Sequence, residues 1–105
     1  MQIREVLKSD LDGLMELYLH LHEKEKLRET PELVSLWEEI LADENYHILV
    51  VEADGKIVSS VTLVVVKNLT RGMRPYALIE NVVTHRDYRN RGYASALMNK
   101  AVEIA

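Results

Sequence analysis

The period at which apolar residues recur changes along the chain, and the changes mark its elements. Gln2 to Leu7, with Ile3, Val6 and Leu7, gives a short strand signal. Ser9 with Asp12 three positions on is an acidic variant of a capping box, so a helix is predicted to start there. Leu11, Leu14, Met15, Tyr18 and Leu21 or His22 continue at helical spacing, with Gly13 inside, until the mixed-charge stretch Glu23 to Glu29 ends the helix in a loop. Thr30-Pro31-Glu32 starts a second helix: a capping hydroxyl, a proline whose missing N–H is not needed in the first turn, and an acid at the positive helix end. Leu33, Leu36, Trp37, Ile40 and Leu41, at offsets 0, 3, 4, 7 and 8, form its apolar face.

Beyond Asp43 the pattern turns extended. Tyr46 to Glu52 and Lys56 to Lys67, rich in Val, Ile and Thr around the turn pair Asp54-Gly55, read as two antiparallel strands. Asn68 to Pro75 is a loop punctuated by Gly72 and Pro75, and Tyr76 to Thr84 is another strand. The polar stretch His85 to Arg91 leads into a final helix from about Gly92, with Ala94, Leu97, Met98, Ala101 and Ala105 on one side. Trp37, Met15 and Met98 are read as core residues, and His85 as the residue that ends its strand. The last helical pattern reaches Ala105 without Gly, Asn or Pro to cap it, and a strand followed by a packed helix ordinarily returns to a parallel strand. The expectation is a domain interrupted inside an element.

Length and composition narrow the classes. At 105 residues, 48% hydrophobic and 29% charged, the chain fits one soluble domain, 1–105. A net charge of −4 argues against broad attraction to nucleic acid or anionic lipid. The lack of cysteine excludes disulfides, thiolate metal sites and a cysteine nucleophile. Met1-Gln-Ile-Arg-Glu has neither signal-peptide nor membrane character, so a cytoplasmic location is expected. Phosphate-loop, dinucleotide, zincin and hydrolase signatures are missing, and His20 and His22, two apart, face different sides of a helix, so no metal site is expected.

What remains is Val82-Val83-Thr84-His85-Arg86-Asp87-Tyr88-Arg89-Asn90-Arg91-Gly92-Tyr93-Ala94. A strand delivers the chain to a tight loop that opens a helix, so backbone N–H groups point outward at the positive end of the helix dipole. Gly92 permits close approach of a ligand, Ala94 leaves the first turn uncrowded, and Arg86, Arg89 and Arg91 make the stretch basic within an acidic chain. The pattern suits a diphosphate.

The segment Arg89-Asn90-Arg91-Gly92-Tyr93-Ala94 resembles the signature Arg/Gln-x-x-Gly-x-Gly/Ala of the GCN5-related N-acetyltransferases (GNAT), and Ile79-Glu80-Asn81-Val82-Val83-Thr84 is similar to that family's fourth strand. The resemblance spans the whole chain. It implies an α/β, GNAT-like (acyl-CoA N-acyltransferase) fold: a mixed, mostly antiparallel sheet flanked by helices, here the amino-terminal two-thirds, lacking its C-terminal strands from the fifth onward. It also implies acetyl-CoA as co-substrate. Backbone N–H groups of Arg91, Gly92, Tyr93, Ala94 and Ser95, with those near Arg89, would hold its diphosphate, and the edge at Val82, Val83 and Thr84 would pair with its pantetheine arm. A bulge in that strand would turn an N–H near Val82 or Val83 toward the thioester carbonyl. Glu80 is the best-placed carboxylate to act as base on a primary amine of a small molecule or protein, which attacks directly. The family's tyrosine general acid matches no position here.

Other readings of these residues stand beside these. Glu80 could be an exposed or salt-bridged strand residue, Asn81 could orient substrate or satisfy a bulge, and Tyr88 and Tyr93 could touch coenzyme or pack inward. Arg71 and Arg74 could meet an acidic acceptor. The rival function is a non-catalytic module that binds coenzyme A or a protein partner; the open fourth-strand edge would allow a homo-oligomer. No nucleic-acid or membrane partner is expected.

Overall fold

The structure is a computed structural model and describes residues 1–21, 29–73 and 75–104. Four strands, β1 (Gln2–Glu5), β2 (Tyr46–Ala53), β3 (Lys56–Val66) and β4 (Tyr76–Thr84), form one antiparallel sheet in the order β1-β2-β3-β4. Three helices flank it: α1 (Leu11–Tyr18), α2 (Pro31–Ala42) and α3 (Tyr93–Ile104). The mixed α/β class and the antiparallel sheet agree with the sequence pattern.

Strand alternation sends alternate side chains to two cores. Leu49, Val51, Val61 and Leu63 meet Leu97 and Ala101 of α3 on one face. Ile48, Val50, Ile57 and Val83 meet Leu14 and Leu17 of α1 and Trp37 of α2 on the other. The β2–β3 turn falls on Asp54 and Gly55, both with positive φ (54° and 74°), the backbone twist that matches two flanking strands.

Three local expectations need correction. The first helix does not start at a Ser9/Asp12 box. A 3₁₀ turn, Lys8–Asp10, comes first, and the Asp10 carboxylate accepts the Leu7 N–H at 2.6 Å because Arg4 fixes it from the other side at 2.7 Å. Leu36 is 52% exposed, since α2 reaches the core through Trp37, whose Nε1–H donates to the Lys8 carbonyl at 3.0 Å. Met98 is 37% exposed, because α3 lays a narrow Leu97–Ala101 stripe on the sheet. Half-buried Met15 is near the expectation, and Trp37, 4% exposed, meets it.

The start of α2 follows its sequence: Thr30 Oγ1 accepts the Leu33 N–H at 3.2 Å and Pro31 is the first helical residue. After Tyr18 the first helix tightens into i→i−3 bonds from Leu19, His20 and Leu21. The predicted end of that helix, His22 with most of Glu23 to Glu29, lies outside the described residues, as do Arg74 and Ala105 and the side chain of Arg71. Among the described residues no helix is long and apolar enough to cross a membrane, and no group of three or more His, Asp or Glu side chains is placed to hold a metal ion.

Candidate functional site

The pairing of β3 with β4 slips at one place. Ser60 lies opposite Val83 but Thr62 lies opposite Glu80, so Val61 faces both Asn81 and Val82. This is a bulge on β4, and Asn81 takes the left-handed conformation (φ 53°) that asparagine tolerates better than branched residues. The bulge frees backbone polar groups from the β3 ladder on a strand that is the last in the sheet, and Val82 next to it is 43% exposed.

Beyond Thr84 the chain is fixed to the body at several points. His85 Nδ1 accepts the Asp87 N–H at 3.1 Å, and Tyr88, buried, donates its hydroxyl to Asp54 in the β2–β3 turn at 2.8 Å. That hydrogen bond, with burial, pushes the Tyr88 phenol above its ordinary pKa. Arg89 Nε donates back to the Thr84 carbonyl at 3.1 Å. Asn90 (φ 64°) and Gly92 (φ 78°) are both left-handed and turn the backbone abruptly into α3. The first bond within α3 runs from the Ala96 N–H to the Gly92 carbonyl at 3.0 Å, so the N–H groups of Tyr93, Ala94 and Ser95 precede the helical ladder and remain available to an anion.

These two features share one groove of about 460 Å³. Every predicted cofactor residue lines it except Arg91: Val82, Val83 and Thr84 on the strand side, and Arg89, Gly92, Tyr93, Ala94 and Ser95 on the helix side. Arg91 instead lies over the Tyr88 ring at 4.9 Å and donates to the Asp87 carbonyl at 3.4 Å, where it braces the loop. A Cβ placed on Gly92 would meet no protein atom within 4 Å, so glycine is required there by φ and not by crowding from its own chain. Tyr88 lines the groove while packed in the core, so it fits both of its sequence readings.

Glu80 stands apart from the groove lining. Its register partner Thr62 is opposite Ile48, a residue of the α1 and α2 face, so Glu80 shares that face. Burial raises the Tyr46 phenol, and the Glu80 charge raises it further, which puts the carboxylate in electrostatic reach of that hydroxyl. Ser60 Oγ and Thr62 Oγ1 are fully buried on the same face and make no hydrogen bond among the described residues. Both neighbour the Tyr18 hydroxyl: burial raises that phenol, and the two side chains partly offset the rise. The sequence pattern treats Tyr18 as helix packing and Ser60 and Thr62 as strand residues, so this hydroxyl-rich floor was not foreseen. The one signal was a run of hydroxyl residues, Ser59, Ser60 and Thr62, inside a mostly apolar strand, with Ser60 and Thr62 on the parity that faces α1.

His20 was also missed. It lines the groove from the α1 side and its ring lies 4.3 Å from that of His85. The positions are distant in sequence, and only the fold brings them together.

A bulged edge strand that runs into an exposed helix start is the arrangement that the resemblance to the acyltransferases implied. The chain belongs to the acetyltransferase (GNAT) family, whose profile it matches over residues 11–105. Solved structures agree. A protein described as an acetyltransferase from Agrobacterium tumefaciens str. C58 is 40% identical, with a TM-score of 0.90, over 100% of this chain and 73% of its own. A transcriptional regulator from Bacillus halodurans C-125 is 29% identical, with a TM-score of 0.87, over 99% of this chain and 73% of its own. Glucosamine-6-phosphate N-acetyltransferase from Arabidopsis thaliana shares the fold at 24% identity, with a TM-score of 0.85, over 97% of this chain and 71% of its own. No curated protein matches the chain in sequence.

Proposed function

We propose that this acetyltransferase moves the acetyl group of acetyl-CoA to a primary amine of a small molecule or a protein. One observation carries the reading: the bulge at Asn81 and Val82 and the unladdered N–H groups of Tyr93 to Ser95 open into the same groove. The residues present suit the co-substrate. Backbone N–H groups at a helix start favour a diphosphate, the open space before Gly92 admits its oxygens, and a strand edge at Val82 to Thr84 offers the amide pairing that a pantetheine arm needs.

The thioester supplies an acyl carbon that an amine attacks once it has a free lone pair. Glu80 accepts the amine's proton, directly or through a water, from the α1 and α2 face of β4. A backbone N–H freed by the bulge near Val82 receives the charge that develops on the carbonyl oxygen as the C–N bond forms. The C–S bond then breaks and the thiolate departs. The attack is direct, since the chain offers no cysteine to carry the acyl group and no serine placed with a base. The Tyr18 and Tyr46 hydroxyls sit on the side from which the amine would approach and would supply polar partners for it.

Turnover of acetyl-CoA with a panel of primary amines, together with calorimetry of coenzyme A binding, tests the reading. Glu80→Gln is expected to lower kcat by about 100-fold and to remove the acidic limb of the pH–rate profile, with coenzyme A affinity unchanged. Unaltered kcat and profile in the variant would exclude Glu80 as the base. Coenzyme A binding with no turnover on any amine would favour a non-catalytic binding module.

A further inference from the structure

His20 holds a position that neither helix packing nor strand geometry requires. It follows α1, lines the groove opposite the start of α3, and also lines a second cleft of about 700 Å³ between α1 and the β2–β3 turn. Its ring sits 4.3 Å from His85, whose Nδ1 is taken up by the Asp87 N–H. Arg86, Asp87 and Arg89 act on it from the loop after β4, and Arg4, Asp10, Glu16, Glu52 and Lys56 line the wide cleft with it.

We propose that His20 is a proton-linked ligand of the diphosphate: its imidazole takes up a proton when the anion enters the groove and closes the site from the α1 side, opposite the N–H groups of Tyr93 to Ser95. The inference rests on the reading of this groove as a coenzyme A site. In the free protein, burial and then the charges of His85, Arg86 and Arg89 hold the imidazole below its ordinary pKa, with Asp87 opposing them. A bound dianion reverses the local sign and favours the imidazolium. The affinity should therefore rise as pH falls through the bound-state pKa, and level off below the free-state value.

Dephospho-coenzyme A is the suitable probe, because its diphosphate oxygens stay ionised while its lack of a terminal phosphate removes a competing titration near about pH 6. Calorimetry in buffers of different ionisation enthalpy measures Kd and proton uptake together. For the unmodified protein, Kd is expected to fall about tenfold between about pH 8 and pH 5.5, the equivalent of one pKa unit, with net proton uptake. His20→Asn should match it near about pH 8, where imidazole is neutral, and lose the tightening at lower pH. A merely structural histidine would weaken binding at every pH. Imidazole resonances of the unmodified protein, titrated with and without the probe, should show the His20 pKa rising on binding, a readout that needs no variant. Binding that is indifferent to pH, or a pH dependence retained in His20→Asn, would overturn the inference and leave the coenzyme reading intact. No binding by either protein at any pH would overturn both.

Discussion

Gly92 shows how one residue sets the site. Its φ of 78° is available to glycine at little cost, while the surrounding space would accept a side chain without a clash within its own chain. Gly92→Ala is thus expected to cost about 1 kcal/mol in urea unfolding, from backbone strain alone. On the proposed reading it should also weaken coenzyme A binding, because a methyl group would stand where a phosphate oxygen is to approach. Lost stability with coenzyme A affinity unchanged would mean that the glycine serves the turn only. Its neighbour Arg91 illustrates the opposite lesson. The sequence reading assigns its backbone N–H to the diphosphate and counts its charge toward a basic stretch, and the structure holds the guanidinium over Tyr88 and against the Asp87 carbonyl. Sequence spacing gives the charge and not its direction.

At the scale of elements, the 3₁₀ turn that leads into α1 depends on a half-buried charge. Arg4 on β1 binds Asp10 and Glu52, both at 2.7 Å, and Asp10 also caps the Leu7 N–H. Burial alone would raise the Asp10 carboxyl, but the hydrogen bonds from Arg4 and Leu7 outweigh it and hold the pKa below the ordinary carboxylate value. A depressed folded-state pKa contributes stability above the unfolded value of about 3.9, and that contribution disappears as pH falls through the folded value. Asp10→Ala should therefore cost about 2 kcal/mol near neutral pH, with a gap from the unmodified protein that narrows in acid below about pH 4. A gap that stays constant with pH would point to lost packing in place of lost charge.

The same turn shows why some elements were legible and others were not. Thr30-Pro31 announces α2 because cap and first residue are adjacent in sequence, and Tyr76 to Thr84 reads correctly because β-branched and apolar residues fill a span between turn residues. Asp54-Gly55 fixes its turn by the same local logic. The start of α1 was misread since its capping acid is selected by Arg4 on another element. The groove was legible where one continuous segment forms it, from Val82 to Ser95. His20, Tyr18 and the Ser60 and Thr62 hydroxyls were not, as their placement arises only when α1 is laid across β3 and β4.

For the whole molecule, the sheet separates two tasks. The α3 face carries an apolar core, Tyr88 included, that holds the helix start in place, while the α1 and α2 face accepts polar groups beside Glu80. Between them, the bulged edge of β4 leads directly to the turn before α3, so the edge proposed to pair with the pantetheine arm and the turn proposed to hold the diphosphate lie along one line. The account depends on that line being the coenzyme site. Backbone amide NMR during titration with coenzyme A tests it most directly. The account predicts that the amide resonances of Val82 to Thr84 and of Gly92 to Ser95 shift together and saturate at one concentration, with those of β1 unchanged. Saturable shifts confined to other surfaces, or no shifts at all, would contradict it.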